Sequence, residues 1–519
     1  MTEQPEGPAA SGDNRRSRQR ELTHGFRRAL GLTALGTLVP GAGLTRTRGR
    51  IVGWVLVLAF LAGLGLIAYR AATRGLRNFG LDVATHSTTL LVLGIAFAVG
   101  GLVWCISIIA TAVQARPRRL DRRRTQALAV FTTLMVALIG SVSYKGAEFA
   151  LITKETVVDV FNGGDLKPGQ GAVVAAGADP WADTERVSVL LLGSDAGVGR
   201  SGTRTDSMMV ATTDTKTGRT VLISLPRNFE HVPLPESSKL RALWPSGVYG
   251  EPRCFRQEVN DTDHCMLNAI WTEVDDYRAN HPDAYPGQEA PGRTEIREVI
   301  SEILGLKIDH TVVIDLRGFQ QLIDAMGGVD VNVKLAGPNQ DQPLPYGKAY
   351  GNGRYSNYFK KSGVQHLNGY EALWYARTRA ADGDSQRQSR QRCVVQAVLD
   401  QINPGAMIAK YPEIARIARD NIYTDIAADN LGAFAELVER IQGSRITSLG
   451  FTSSNGFPHP ANPDYELLRE LVQKAIKAPA PASTPSGESS TTAPPTGPSS
   501  TSTPTPSPST SNAPADECA

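Results

Sequence analysis

The chain has 519 residues, 41% of them hydrophobic, and a net charge of +3, a composition that allows two or three folded units with sizeable cores. Its five cysteines are too few for a small disulfide-stabilised scaffold. Arginine is unevenly distributed, so the small net charge conceals strongly basic segments.

Three apolar segments in the first third of the chain have the length of membrane-spanning helices. They lack charged residues, and about 20 apolar residues suffice to cross the hydrocarbon core of a bilayer. They are residues 51–69, 88–113 and approximately 126–144. A shorter apolar segment, 29–44, is interrupted by Pro40; we interpret it as interfacial or re-entrant and leave a fourth span open. No cleavable signal-peptide pattern precedes these segments.

Arginine-rich segments beside the spans predict their orientation. Six arginines lie in residues 1–28 and six more in residues 116–124. Positively charged segments remain in the cytoplasm, so three spans would place the rest of the chain outside the membrane. We therefore predict a cytoplasmic N-terminus, 1–50, a multi-span helical membrane anchor, 51–147, and a linker, 148–184.

Residues 185–476 are predicted to form a layered α/β/α extracytoplasmic domain with a mixed central sheet. The apolar run at 187–192 is typical of a strand buried on both faces. Asp195 would then lie at the carboxyl end of a central strand, where open α/β sheets bind ligands. Residues 311–333 indicate strand, helix and strand, with Gly327 at the helix C-cap. The Pro/Ser/Thr-rich tail, 477–519, is predicted to be disordered.

A hairpin is predicted around the turn sequence at 214–218. Centring the turn between Lys216 and Thr217 pairs Asp206 with Arg227 at the open end of the hairpin. Arg204 would share the face of Asp206 if the strand extends that far. A slip of one residue would destroy this pairing.

The segment 375–392, YARTRAADGDSQRQSRQR, contains five arginines in 18 residues. Its first part has the alternation of a strand, which would place Tyr375, Arg377 and Arg379 on one face. After a short loop, Ser385 is predicted to begin a helix, with Gln388 completing a capping box.

In that helix, Arg387, Arg390 and Gln391 would share a face, whereas Arg392 would lie on the surface. Three interpretations compete: a solvated basic helix, a nucleic-acid site, or a site for one anion. The predicted location outside the cell excludes nucleic acid, and the lack of a Gly-Lys-Ser/Thr loop disfavours a nucleotide. Arginine forks match phosphate oxygens and carboxylates hold Mg²⁺, so we predict a site for a metal-bridged pyrophosphate.

Between residue 187 and about residue 400, the ordered motifs LLGSD, TRTDSMM, SLPRN, LNAI, GFQQLIDAMGGVDV, HLNGYEALWYARTR and DSQRQSRQ resemble those of the LytR-CpsA-Psr family of cell-envelope phosphotransferases, of actinobacterial type. The resemblance implies a membrane enzyme that transfers a phosphoglycopolymer from a polyprenyl-pyrophosphate carrier to peptidoglycan. It also implies an α/β domain with a hydrophobic pocket for the prenyl chain. The polymer could be teichoic acid, arabinogalactan or capsule.

Two alternative functions remain open at this point. One is hydrolysis of the same lipid pyrophosphate, with water as the acceptor. The other is a non-enzymatic, wall-associated regulatory anchor.

The resemblance also implies roles for individual residues, carried over by position. Asp206 is the ligand of Mg²⁺, with Mn²⁺ as the alternative ion, and Asp195 assists either the metal or the acceptor hydroxyl. The implied catalytic residues are Asp195, Asp206 and Arg227. The implied pyrophosphate-binding residues are Arg204, Arg227, Arg377, Arg379, Arg387 and Gln391.

Two positions depart from the family pattern. Asn228 stands where an aspartate is usual, which puts in doubt its role in orienting Arg227 or tuning metal affinity. Met266 stands where a lysine is common, which removes one candidate phosphate contact.

The cysteines allow several pairings. We expect at least one of Cys254 and Cys265 to form a disulfide, with Cys393 as another candidate partner. Cys105 lies in a predicted span as a buried thiol, and Cys518 is expected to be free.

Overall fold

The computed structural model describes residues 11–74, 79–80, 83, 87–117, 120–160, 179–195, 205–251, 265–288, 290–337, 339–401, 410–427, 430–452, 455–478 and 518. The chain divides into two compact units, Met1–Asp159 and Val160–Ala519. Apart from Cys518, the predicted tail beyond Ala478 lies outside the described residues.

The first unit consists of long helices. Three of them are long and apolar enough to cross a membrane, in agreement with the three predicted spans. The helices are α1, Ser11–Leu38; α2, Arg50–Arg74; α3, Ser87–Ala115; and α4, Arg122–Val160.

The C-terminal part of α1 packs against α3. Ala29 and Leu32 are buried, and the indole nitrogen of Trp104 donates to the Gly36 carbonyl at 2.9 Å. Gly43 lies so close to α1 that a Cβ there would clash with the Leu32 carbonyl oxygen. Much of the segment 29–44, which we interpreted as interfacial or re-entrant, is therefore the end of helix α1, and a short turn that packs against this helix follows it.

The second unit is built on a mixed sheet of six strands in the order β11-β6-β1-β2-β3-β12. Strands β1 and β6 are parallel, as are β3 and β12, and the other neighbours are antiparallel. The mixed central sheet is as predicted. Its strands are β1, Arg186–Ser194; β2, Thr205–Asp214; β3, Thr220–Leu225; β6, His310–Asp315; β11, Ile422–Thr424; and β12, Ile446–Gly450.

Helices cover both faces of this sheet because its central strands are apolar on both sides. Leu190 and Leu192 belong to one core cluster, and Val187 and Leu191 to another on the opposite face. This alternation confirms the layered arrangement. The helices of the unit are α5, Ile270–Asn280; α6, Pro291–Leu304; α7, Leu316–Met326; α8, Gly369–Arg377; α9, Asp384–Gln401; α10, Tyr411–Asn421; α11, Leu431–Gln442; and α12, Tyr465–Lys477.

Three small antiparallel pairs complete the described strands. The predicted strand–helix–strand at 311–333 is confirmed, and Gly327 ends α7 in the left-handed conformation with φ of 99°. Its second strand, however, joins a separate two-stranded sheet. The pairs are β4, Val232–Pro233, with β5, Val248–Tyr249; β7, Val329–Val333, with β10, Gly363–Leu367; and β8, Leu344–Gly351, with β9, Arg354–Phe359.

The prediction of a strand at 375–379 is wrong, because residues 375–377 end helix α8 and Thr378 is its C-cap. Asn368 accepts from the Glu371 amide, and the Glu371 side chain accepts from the Asn368 amide. This reciprocal cap stabilises the first turn of the helix. Helix α9 begins at Asp384, one residue before the predicted start at Ser385.

The prediction for Cys518 is also wrong: it forms a disulfide with Cys393 in α9. Cys265 is disulfide-bonded as well, as expected for at least one of the pair, whereas Cys254 lies outside the described residues. Cys105 is a free thiol.

Candidate functional site

Asp195 and Asp206 lie at the same edge of the central sheet. Strand β1 ends at Ser194, which pairs with Thr205 of β2 and with Asp315 of β6. Asp195 therefore follows the carboxyl end of a central strand, as predicted, next to the start of the strand that carries Asp206.

The register of the β2–β3 hairpin brings Asp206 and Arg227 together. Thr213 pairs with Thr220, and Met208 with Leu225, which is the predicted register. The Arg227 Nη1 donates to the Asp206 Oδ1 at 3.0 Å, and the Arg377 Nη2 lies 3.8 Å from the Oδ2. Arg204 lies outside the described residues.

The backbone of the LNAI motif holds the loop that carries Arg227. The Asn268 amide donates to the Arg227 carbonyl at 3.1 Å, and the Leu267 amide donates to the Phe229 carbonyl at 2.9 Å. Met266 precedes this short turn. The motif thus positions the arginine through main-chain hydrogen bonds, whichever side chain stands at position 266.

Asp384, at the start of α9, organises a second group of side chains. Its Oδ1 accepts from the Nε of Arg387 at 2.9 Å, its Oδ2 accepts from the Nε2 of Gln388 at 2.8 Å, and the Arg379 Nη1 lies 3.6 Å from the Oδ1. The Arg387 Nη1 also donates to the Asp206 carbonyl at 2.8 Å. This contact joins the two groups.

The joined site has an excess of positive charge. The guanidinium groups of Arg227, Arg377, Arg379 and Arg387 surround the carboxylates of Asp206 and Asp384. Burial lowers the pKa of Arg387, and the charge of Asp384 opposes that shift. Four guanidinium groups beside these two carboxylates, each a planar hydrogen-bonding fork, suit a polyanion such as pyrophosphate.

An apolar cavity of about 320 Å³ opens between the sheet and three of these arginines, Arg377, Arg379 and Arg387. Along one face of α9, Arg387 and Gln391 stand at its polar part, and Val394, Val395 and Val398 continue into its apolar part. This spacing follows the helical repeat. The Oε1 of Gln391 accepts from the Ser207 hydroxyl at 3.2 Å, which fixes the amide at the cavity wall.

Arg390 and Arg392 do not lie at this cavity. Arg390 donates to the Tyr375 carbonyl at 2.9 Å and pairs with Asp382, so it ties α9 to the end of α8. Arg392, predicted to lie on the surface, is only 3% exposed. That prediction is wrong because α9 is covered on more than one side by the fold.

Our reading of the sequence missed Asp384 as a site residue. The available signal was its spacing, since Asp384 stands three residues before Arg387 and four before Gln388, within reach on a helix. Among the described residues, no group of three or more His, Cys, Asp or Glu side chains is arranged to hold a metal.

Comparisons with known proteins point to one family. The model of the LytR_cpsA_psr family matches residues 166–458. The polyisoprenyl-teichoic acid–peptidoglycan teichoic acid transferase TagV of Bacillus subtilis is 30% identical over 203 residues, which are 37% of this chain and 50% of TagV. This chain thus spans half the length of that relative.

Two further matches cover a larger share of the matched protein. The polyisoprenyl-teichoic acid–peptidoglycan teichoic acid transferase TagU of Enterococcus faecalis is 26% identical over 301 residues, which are 56% of this chain and 79% of TagU. The crystal structure of B. subtilis TagV is similar with a TM-score of 0.38 at 26% identity, covering 56% of this chain and 97% of that one.

Proposed function

Because this chain belongs to the LytR_cpsA_psr family, we propose that it transfers a phosphoglycopolymer from a polyprenyl-pyrophosphate carrier to peptidoglycan. The names of TagV and TagU, both polyisoprenyl-teichoic acid–peptidoglycan transferases, support this proposal. The single observation that carries it is the apolar cavity with an arginine-rich polar part.

The two parts of the cavity match the two parts of such a donor. The arginines and Gln391 bind the pyrophosphate, and the apolar walls bind the first isoprene units of the carrier. Leu192, Ile314 and Phe319 are among the walls. A ligand with a charged head and a hydrocarbon tail satisfies both surfaces at once.

We propose Mg²⁺, with Mn²⁺ as an alternative, as the cofactor, held by Asp206 with Asp195. Mg²⁺ typically binds one or two carboxylates and completes its shell with water and substrate phosphates, so two carboxylates at neighbouring strand ends fit it. Bound there, the ion would supply positive charge to the phosphate oxygens.

The protein residues contribute mainly position and charge. An acceptor hydroxyl attacks the phosphorus attached to the glycan, a new P–O bond forms, and the bond to the bridging oxygen breaks, so polyprenyl phosphate leaves. Arg227, Arg377 and Arg387 stabilise the charge that develops on the phosphate oxygens. In the alternative in which Asp206 alone holds the ion, Asp195 accepts the proton of the hydroxyl.

We also propose that the second unit lies outside the cytoplasm, attached to a cell membrane by the first. The three apolar helices support a membrane anchor, and the arginines of residues 1–28 and 116–124 favour the predicted orientation. The disulfide-bonded Cys265 and the Cys393–Cys518 pair fit an oxidising compartment.

Reconstitution tests the function directly. The full chain in lipid nanodiscs is incubated with a lipid-linked oligosaccharide, peptidoglycan and Mg²⁺, with a chelator as the control. Sugar covalently attached to peptidoglycan is expected. Free phosphosugar alone would indicate hydrolysis instead, and no turnover together with unchanged wall polymer in a deletion strain would indicate an anchor.

A further inference from the structure

A row of aromatic rings leads away from the arginine site. The Arg377 guanidinium carbon lies 5.8 Å from the ring centre of Trp374. The rings of Trp374 and Tyr370 are 6.2 Å apart, and those of Tyr370 and Tyr346 are 6.3 Å apart. We call these three rings the aromatic track.

The track reaches the β8–β9 hairpin, which is strongly basic. No acidic residue occurs from Gln342 to Tyr370. Four cations on or next to the hairpin are exposed, and Tyr350 near its tip is 66% exposed. The cations, which we call the hairpin cations, are Lys348, Arg354, Lys360 and Lys361.

The described contacts leave these cations largely without acidic neighbours. The Lys348 ammonium lies 5.7 Å from the ring centre of Tyr350, and among the described residues no ion pair involves Lys348, Arg354, Lys360 or Lys361. Elsewhere on the domain, the exposed cation Lys307 does pair with a carboxylate, that of Asp309. The hairpin charge is thus available to an external anion.

We propose that the aromatic track and the hairpin cations bind the sugar-phosphate chain of the donor as it leaves the reactive site. The inference rests on the proposed function and narrows its substrate class to an anionic, phosphate-bearing polymer. Aromatic faces pack against the C–H groups of sugar rings, and ammonium and guanidinium groups attract repeated phosphates. A neutral polysaccharide would use only the rings.

An anionic membrane surface is the competing partner for a basic hairpin with tyrosines. The polymer is favoured because the rings are not confined to the tip. They run inward to Trp374, which contacts Arg377 beside Asp206. Binding to a membrane surface would require rings only at the hairpin tip. The tip itself, 349–353, carries one large apolar side chain, Tyr350.

Binding can be measured without turnover. The probe is purified poly(ribitol phosphate) that carries glucosyl substituents, so that it offers both phosphates and sugar rings. It is added to the full chain in nanodiscs of zwitterionic lipid, with neutral dextran as the comparison. We expect the anionic probe to bind and added salt to weaken that binding. The affinity should fall about tenfold when all four hairpin cations are changed to glutamine. Tyr370→Leu should weaken binding without changing its salt dependence.

A matched variant controls for net charge. Lys410, Arg416, Lys474 and Lys477 are exposed cations on other elements, and changing these four to glutamine removes the same charge. Its binding of the probe should stay within about twofold of the unmodified chain. Equal binding by the two quadruple variants would overturn the inference. Charge-dependent binding only to phosphatidylglycerol vesicles would assign the hairpin to the membrane instead.

A second measurement separates this inference from the proposed function. Transfer is compared for a carrier-linked disaccharide and a carrier-linked poly(ribitol phosphate), each as kcat/KM. The hairpin variant should lower the ratio of polymer to disaccharide by about tenfold, and the control variant should not. An unchanged ratio contradicts the inference, whereas an unmodified chain that transfers neither donor contradicts the proposed function.

Discussion

At the scale of single residues, Asp384 determines where two guanidinium groups point. It binds Arg387 and Gln388 directly and lies 3.6 Å from Arg379. Asp206 does the same for Arg227 and, at longer range, Arg377. Each carboxylate therefore prearranges donors for phosphate oxygens before the substrate binds.

Asp206→Asn should reduce the transfer rate by about 100-fold or more, because Asp206 both orients Arg227 and is the proposed metal ligand. The side chains of Asp206 and Arg227 are 24% and 28% exposed, so the loss of unfolding free energy should be about 1 kcal/mol or less. Rate and denaturant unfolding are measured together. Asp330→Asn, at an exposed pair with His366, is the control, and a wild-type rate for Asp206→Asn would refute the assignment.

Asp384→Asn should act by misplacing Arg387, whose side chain is only 5% exposed. We expect the unfolding free energy to fall by about 2 kcal/mol, since a buried charged donor loses its ionic partner, and the KM for the donor to rise. Asp384→Glu should recover part of the KM. A stability loss with unchanged KM would show that Asp384 is structural only.

At the scale of elements, α8 and α9 form the arginine-bearing wall. Helix α9 was predicted from its capping residues, whereas α8 could not be assigned from side-chain alternation alone. Tyr375, Arg377 and Arg379 alternate as in a strand, but the preceding Asn368–Glu371 cap nucleates a helix. The turn and the register of β2–β3, in contrast, followed from local sequence. Short alternating segments fit two structures, and the cap decides between them.

Asn368→Ala removes this cap and should lower the unfolding free energy by about 1 kcal/mol. Thermal or urea unfolding of the full chain measures it. The control is Asn430→Ala, because Asn430 precedes α11 without a side-chain capping hydrogen bond and should cost less. Equal losses for both variants would show that the cap at α8 contributes nothing.

Helix α6 places Glu295 in the core, where burial raises its pKa to about 7, assisted by Glu298 and opposed by Ser238 and Lys239. Folded Glu295 therefore keeps its proton at pH values where the unfolded chain has lost it. The contribution of this group to the free energy of unfolding is full below about pH 4.5 and is lost as the pH rises through 7. Glu295→Gln should abolish this component of the decline between those pH values. Unfolding free energies across that range measure it, and parallel pH profiles for the two proteins would contradict the assignment.

At the scale of the whole molecule, the disulfide between Cys393 and Cys518 links the chain end to α9, over a sequence separation of 125 residues. Helix α9 also carries Arg387 and Gln391, so the C-terminus is covalently attached to a wall of the proposed site. Nothing in the spacing of the cysteines indicated this pairing.

Cys518→Ser should release Cys393 as one additional thiol. Because Cys393 is buried, the thiols are titrated in denaturant without reductant. Cys105→Ser, which removes the free thiol of the first unit, should lower the count by one and calibrates the assay. An unchanged count in Cys518→Ser would contradict the disulfide.

Local sequence patterns were enough to predict the three apolar spans, the doubly buried strand β1 and the β2–β3 register, and hence the Asp206–Arg227 pair. Each of these depends on hydrophobic periodicity or on a turn within a few residues. The Asp384 cluster, the burial of Arg390 and Arg392, the extent of the apolar cavity and the Cys393–Cys518 bond became visible only in the folded chain. These features join segments far apart in the chain, such as Ser207 and Gln391, and their burial depends on packing that no local pattern encodes.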